Sequence, residues 1–247
     1  MSSKSKIEWT EQTWNPSTGC TKVSPGCKHC YAETMARRLK AMGAGGYDNG
    51  FEITMHEHRL HQPLKRKKPT VYFVNFMSDL FNEDVTDVFL DKVFDVIRNT
   101  PQHTYQILTK RSERLPVYFK TRKCPGNVWL GVSVEDKKYG VPRIDDLRKV
   151  DASIRFLSVE PLLEDVGFMD LTNIHWVIVG GESGSCARPM KAEGADNIRL
   201  QCDDADVAYF FKQWGTWGAD GVIRAKQANG RKLNGRIYDS YPQVVIS

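Results

Sequence analysis

Three cysteines fall close together near the start of the chain, in the pattern Cys20-x6-Cys27-x2-Cys30. Thiolates are soft ligands for iron and zinc, and three of them on a 4Fe–4S cluster leave one iron open to a small molecule. Pro25-Gly26, between the first two, allows the chain reversal that returns Cys20 to the closely spaced pair. Backbone amides of such a loop can hydrogen-bond the cluster sulfurs and help set the potential. Two other readings stand beside this one. A structural zinc takes four ligands, with His29 as the candidate fourth, but adjacent His29 and Cys30 make a poor pair for one metal and no second cysteine pair matches a zinc ribbon. Free cysteines acting as small hydrophobes want apolar surroundings, whereas Lys22, Ser24, Lys28 and His29 are polar.

Some scaffold must hold this loop. From residue 71 onward, short apolar runs rich in β-branched and aromatic residues alternate with helical patterns, which is the βαβ signature. The runs are VYFVNF (71–76), TYQILT (104–109), NVWLGVSV (127–134), IRFLSVE (154–160) and HWVIVGG (175–181), with VAYFFKQW (207–214) as a further strand. Their continuous apolar character implies burial on both faces, as in a parallel sheet. Helices are expected over 31–42, over 87–99 with Val88, Val93, Val96 and Ile97 at helical spacing, over 111–120 and over 142–150. With a first strand near 13–19, the count is six or seven βα units, and right-handed crossovers curl such a sheet toward an incomplete TIM-like barrel of parallel strands. The cysteine loop then follows the first strand, and loops at the C-terminal ends of barrel strands build active sites. Residues 43–69 read as an irregular insertion and residues from about 215 as a non-barrel extension, both within a single catalytic domain over 1–247.

Bulk properties agree. A chain of 247 residues with 40% hydrophobic and 26% charged residues is ordinary for a globular protein, and no apolar run approaches the roughly 20 residues of a membrane span. The start, MSSKSKIEWTEQTWNP, lacks the apolar core of a signal peptide, so a cytoplasmic location is expected and the six cysteines should stay reduced. Net charge is +5, with basic runs in LKRKKP (64–69) and from Lys110 through Arg111, Arg114, Lys120 and Arg122 to Lys123. Such runs suit a polyanion, although solvated faces carry them as readily.

TWNPSTGCTKVSPGCKHCYAE, followed by VNFMSDLFNEDV, LTKR, LGVSVE, SVEPL, VGGESG and FFKQWG, resembles the phage-associated three-cysteine proteins allied to the radical S-adenosylmethionine superfamily. The resemblance runs over most of residues 8–240. It departs from the superfamily's usual motif, in which three residues rather than six separate the first two cysteines. The resemblance implies a radical S-adenosylmethionine type barrel, with Cys20, Cys27 and Cys30 holding the cluster. The open iron would chelate S-adenosylmethionine, and an external electron donor such as flavodoxin would supply the electron that cleaves it to a 5′-deoxyadenosyl radical.

Polar residues at strand ends are the candidates for the remaining site. Asn75, Ser78 and Asp79 follow the second strand and would lie beside the methionyl part of the cofactor, unless Ser78 and Asp79 cap the next turn. Ser133 and Glu135 end the fourth and could bind ribose hydroxyls, or Glu135 could begin a helix. Ser158 and Glu160 end the fifth, and a carboxylate at a buried strand end is costly unless paired or used, so a catalytic role is expected for Glu160. Gly180, Gly181 and Glu182 spell the superfamily's Gly-Gly-Glu stretch but follow the sixth strand, not the second, so they suggest a loop touching adenine or substrate, with a plain glycine turn as the alternative. Lys110, Arg111 and Arg188 are candidates for a phosphate or carboxylate. Lys212 and Trp214 could stack and pair a nucleobase, although a tryptophan at a barrel end often simply packs. Cys186 is a candidate hydrogen-atom donor. Packing is expected for Cys124 and Cys202, and surface placement for His56, His58 and His61.

The expected activity is a radical rearrangement or other modification of a hypermodified thymine in bacteriophage DNA, with the base extruded into the barrel mouth, in the host cytoplasm. The alternatives are a radical enzyme acting on a free nucleotide or peptide, and a zinc-stabilised nucleic-acid-binding protein without catalysis.

Overall fold

The computed structural model describes residues 7–243. In chain order its elements are β1 (Gln12–Trp14), β2 (Ser17–Thr18), α1 (Tyr31–Ala41), β3 (Thr54–Met55), β4 (Val71–Val74), α2 (Asp87–Arg98), β5 (Thr104–Thr109), α3 (Arg114–Phe119), β6 (Val128–Ser133), α4 (Arg143–Arg148), β7 (Ile154–Val159), β8 (Trp176–Gly180), α5 (Ala192–Asp204), β9 (Ala208–Gln213) and α6 (Lys226–Asn229). Seven strands form one parallel sheet in the order β1-β4-β5-β6-β7-β8-β9, with β1 and β9 at opposite ends of that order. This is the expected α/β class. The chain divides into two compact units, one of residues up to Val23 with Cys30–Gly131 and Val150–Ser153, the other of Ser24–His29, Val132–Lys149 and Ile154 onward.

In the first unit, β1 pairs with β4 and β4 with β5, both parallel. The expected first strand over 13–19 breaks in two at Pro16, which has no amide proton to donate, and β2 pairs antiparallel with β3 instead. Strand β4 stops at Val74 because Asn75 takes a left-handed conformation, φ 58°, which asparagine tolerates better than most residues. Helix α2 is started by Thr86, whose hydroxyl accepts from the Phe89 amide at 3.2 Å, and it buries Phe89, Leu90, Val93, Phe94, Val96 and Ile97. Val88, expected on that face, is exposed. Helix α1 buries only Ala32 and Ala36, and those two methyl-sized side chains let it approach Met77 just past β4.

The insertion at 43–69 carries β3 and two 3-10 turns, Glu57–Arg59 and Pro63–Lys65. His56 corrects the expectation of surface placement. It is buried, with Nε2 2.8 Å from Thr18 Oγ1, so it anchors the insertion against β2, whereas His58 and His61 are exposed.

In the second unit, β7 pairs with β8 and β8 with β9, all parallel. Strand β8 is buried along its whole length, as a strand covered on both faces must be. Trp176, Phe156 and Phe210 form its aromatic centre. Residues beyond 215 hold one short helix, α6, and isolated bridges, in keeping with an extension to the sheet.

Candidate functional site

In the first unit the chain leaves β2 through Gly19, and the Cys20 amide donates to the Phe51 carbonyl at 3.1 Å, so the insertion fixes the start of the cysteine loop. Cys30 sits at the other end, as the residue preceding α1. Beside Cys20 lies a buried ion network centred on Arg111, only 4% exposed. Its Nη1 donates to Asp79 Oδ2 at 3.2 Å and to Cys20 Sγ at 3.5 Å, its Nε to Glu83 Oε2 at 2.7 Å, and its Nη2 to the Thr21 carbonyl at 3.0 Å and hydroxyl at 2.5 Å. Burial works against the guanidinium's charge, but Asp79, Cys20 and Glu83 outweigh it and hold Arg111 above its ordinary pKa. An open depression of about 490 Å³ adjoins Cys20, lined also by Thr21, Glu33, Arg37, Phe51 and Asp84.

The strand-end residues of this unit brace the loop. Asp79 accepts from the Thr109 hydroxyl at 2.7 Å and from the amides of Lys110 at 2.9 Å and Phe81 at 3.0 Å. It therefore does cap the following turn. Ser78 Oγ donates to the Gly19 carbonyl at 2.7 Å, and Asn75 Nδ2 donates to Ser17 Oγ at 2.7 Å while its Oδ1 accepts from the Ser17 amide. These contacts turn Asn75 and Ser78 toward the strand that delivers the cysteines.

In the second unit, Cys27 closes a 3-10 turn over Pro25–Cys27, half-buried, with its amide donating to the Ser24 carbonyl at 3.0 Å. Two carboxylates hold this turn. Ser24 Oγ donates to Glu135 Oε1 at 2.6 Å, and fully buried Glu135 is ion-paired through Oε2 to Arg143 Nη1, which also donates to the Ser133 carbonyl at 2.7 Å. Arg188 Nη1 donates to the Pro25 carbonyl at 3.0 Å, while its Nε and Nη2 grip Glu182 at 2.8 and 2.6 Å. Burial raises the pKa of Glu182, but the hydrogen bonds from Arg188 and the charge of His29 outweigh that and keep it below the ordinary glutamate value. Gly26 is required here. A β-carbon on it would sit 2.3 Å from Glu135 Oε1.

Several expected roles are corrected by these contacts. Arg111 is enclosed among carboxylates, so it is not a surface group for phosphate. Trp214 is 3% exposed, with Nε1 donating to the Lys232 carbonyl at 2.9 Å and its ring 5.1 Å from that of Phe211, so it packs and offers no face to a nucleobase. Ser133 and Glu135 are buried and committed to Arg143 and the cysteine turn rather than to a ribose. Glu160 is paired as its strand-end position demanded, with Lys212 Nζ at 3.0 Å and Ser158 Oγ at 3.1 Å, which commits Lys212 as well. Gly180 ends β8, and the Gly181 amide donates to the Gln213 carbonyl at 3.0 Å, tying the glycine loop to β9. Cys186 is exposed in that loop, with Ser185 Oγ 3.9 Å from its sulfur. Cys124 and Cys202 are buried as expected, and burial pushes the Cys202 thiol up to about 12.

Thr21, Glu83, Thr109 and Arg143 were not anticipated. Glu83 and Thr109 lie within the conspicuous runs VNFMSDLFNEDV and LTKR, but Arg143 stands in an ordinary helical stretch and carries no signal in its neighbours.

Three half-buried free thiols, one of them against a guanidinium, are a donor set suited to iron–sulfur chemistry. Among the described residues no three His, Cys, Asp or Glu side chains converge to hold one metal ion. Nor, among the described residues, is any helix long and apolar enough to cross a membrane.

The fold is of the α/β class, with parallel strands joined through helices. The chain belongs to the family described as "Protein of unknown function (DUF5131)", which matches residues 4–242. No curated protein matches the sequence. Among solved structures, a cysteine-to-serine variant of spore photoproduct lyase is similar at TM-score 0.51 and 15% identity, over 95% of this chain and 74% of that one. A cysteine-to-alanine variant matches at TM-score 0.51 and 16% identity over the same shares. Spore photoproduct lyase complexed with dinucleoside spore photoproduct matches at TM-score 0.48 and 16% identity, over 81% of this chain, which spans 63% of that chain's length.

Proposed function

We propose that the chain is a radical S-adenosylmethionine enzyme working as one catalytic domain, with Cys20, Cys27 and Cys30 as ligands of a 4Fe–4S cluster, and that its substrate is a modified thymine in DNA. The observation that carries this reading is the bracing of the cysteine loop. Charged groups lie against it at both stretches, buried Arg111 at Cys20 Sγ, and buried Glu135 and half-buried Arg188 at Ser24 and Pro25. Burying charges is expensive, and a fold tolerates it where the geometry they hold is needed. When bound, the cluster and S-adenosylmethionine supply a 5′-deoxyadenosyl radical. The chain's own residues brace each stretch of the cysteine loop, set the Arg111 guanidinium against the Cys20 sulfur, and leave Ser183, Gly184 and Cys186 exposed past β8 to meet substrate. The likeness in fold to a lyase of a photoproduct supports a nucleobase substrate.

The test is anaerobic reconstitution. About four irons per chain with a brown colour are expected, falling sharply in Cys20→Ala, Cys27→Ala and Cys30→Ala. With reductant, cofactor and phage DNA, mass spectrometry should find 5′-deoxyadenosine and an altered nucleoside. Colourless protein with stoichiometric zinc would refute the cluster, and turnover on a small metabolite alone would refute the DNA substrate.

A further inference from the structure

The formal charge of the chain is +5, and the stretch Ile223–Tyr238 alone carries five cations, Arg224, Lys226, Arg231, Lys232 and Arg236, with no carboxylate among them. Asp220 and Asp239 flank the stretch, so the extension past β9 carries a net positive charge. Two of the cations are committed locally. Arg224 forms a two-pronged pair with Asp220, Nη1 to Oδ1 at 2.8 Å and Nη2 to Oδ2 at 2.6 Å. Arg231 lies over the Phe210 ring, 4.7 Å from its centroid, with Nε and Nη2 3.4 Å from the Phe211 carbonyl. Lys226, Lys232 and Arg236 have no carboxylate within ion-pair distance among the described residues, and Lys232 and Arg236 are exposed.

These cations are not on a loose tail. Leu233 and Arg236 exchange both backbone hydrogen bonds, at 2.9 and 3.0 Å, across Asn234 at φ 49° and Gly235 at φ 77°. Positive φ at both central residues is the pattern of a type I′ turn, whose twist matches that of paired strands. The turn is pinned at its base. Leu233 is fully buried, Trp214 Nε1 donates to the Lys232 carbonyl at 2.9 Å, the Phe211 amide donates to the Tyr238 carbonyl at 2.9 Å, and the Ser240 amide donates to the Tyr209 carbonyl at 3.2 Å. Thus β9 and the buried Trp214 hold a rigid two-residue turn with exposed Lys232 and Arg236 flanking it. A turn whose backbone is already fixed by these bonds adds no backbone ordering cost on meeting a regular array of phosphates.

We infer that this turn, with Lys232 and Arg236 flanking it and Lys226 nearby in sequence, is a contact site for the phosphate backbone of duplex DNA. The inference rests on the reading of DNA as substrate and adds the place where the protein grips it. Each phosphate neutralised by a cation steepens the fall of binding with salt, by about 0.9 in the slope of log K against log salt for duplex DNA. The site contributes affinity without sequence preference, because phosphates are alike at every base pair.

The experiment is fluorescence anisotropy of a labelled duplex with the full chain, titrated across a series of salt concentrations. The comparison is wild type, the Lys226→Gln, Lys232→Gln, Arg236→Gln triple variant, and a Lys232→Arg, Arg236→Lys variant that keeps the charges. The triple variant should lose up to about 2.7 from the slope, 0.9 per contact, and weaken alike on unrelated sequences, while the charge-keeping variant behaves as wild type. Circular dichroism melting checks that the fold is intact, as expected for exposed Lys232 and Arg236 and half-buried Lys226. If wild type binds the duplex and the triple variant matches it in affinity and slope, the turn is not the grip, although DNA stands as substrate. If wild type shows no salt-dependent binding, both readings fall.

Discussion

Replacing Arg111 by methionine tests the loop-bracing argument at its most buried point. The substitution keeps an unbranched apolar stem and removes the guanidinium, taking that cation away from Asp79 and from the Cys20 sulfur. Removing one partner of a buried pair typically costs about 3–5 kcal/mol, because the other charge stays desolvated. Two features set the expected value toward the lower end. Asp79 retains donors in the Thr109 hydroxyl and the Lys110 and Phe81 amides, and the Glu83 side chain is 62% exposed, so losing that pair adds little. A loss of about 3 kcal/mol corresponds to a melting point lower by roughly 6–12 °C for a chain of this size. Anaerobic cluster-free protein should be unfolded by heat and by urea, with Asp79→Asn and the double variant measured beside it. The double variant should recover part of the loss, because no uncompensated charge is left buried. A single-variant loss under about 1 kcal/mol, or strictly additive effects of the two changes, would show that solvent relaxes around Arg111 and that it braces nothing.

Ser24→Ala removes a 2.6 Å hydrogen bond to a fully buried carboxylate, a type of bond worth about 1.5–3 kcal/mol. It should speed alkylation of Cys27 in cluster-free protein, read by mass spectrometry of labelled peptides, while buried Cys124 and Cys202 stay slow. His56 gives a pH signature. Burial, then the charges of Arg59 and His58, hold its pKa down to about 4 from an ordinary 6.5, so the unfolded chain takes up a proton between those values that the folded one refuses. Its contribution is therefore complete above about 6.5 and is lost as pH falls toward 4. His56→Asn should flatten that limb of the stability profile by about 3 kcal/mol, measured by urea unfolding at a series of pH values. An unchanged limb would place the histidine in solvent.

Much of the frame was legible because it depends on patterns that local physics writes plainly. The strands β5 to β9 announce themselves as apolar runs ended by polar residues, and their boundaries fall within one or two residues of expectation. The first strand was harder to read, since its break depends on a single proline and a partner, β3, that lies inside a segment with no periodicity. Side-chain roles were less legible still. Sequence gives the type of a group and its place along a strand, but not who faces it. Arg111 and Trp214 read as surface groups suited to nucleic acid and proved to be buried: the carboxylates around Arg111 come from 28 and 32 positions away, and the indole of Trp214 is tied to the Lys232 carbonyl 18 positions on. His56 was misplaced for the same reason, its partner Thr18 being 38 positions away. For Glu160 the energetic necessity was legible, that a carboxylate at a buried strand end must be paired or used, but not which: the sequence favoured a site role, and the structure pairs it with Lys212.

The close approach of Gly26 to Glu135 has a consequence for how this protein can vary. The two positions are 109 residues apart in sequence, yet the room for a side chain at one is taken up by the carboxylate of the other. Neither can drift alone. An alanine at 26 becomes admissible only after the acid at 135 has shortened or swung away, and that change in turn strands Arg143 and releases Ser24. The four positions should therefore be inherited as a block, and a transplant of the cysteine loop into another scaffold should carry the acid and its arginine along with the glycine.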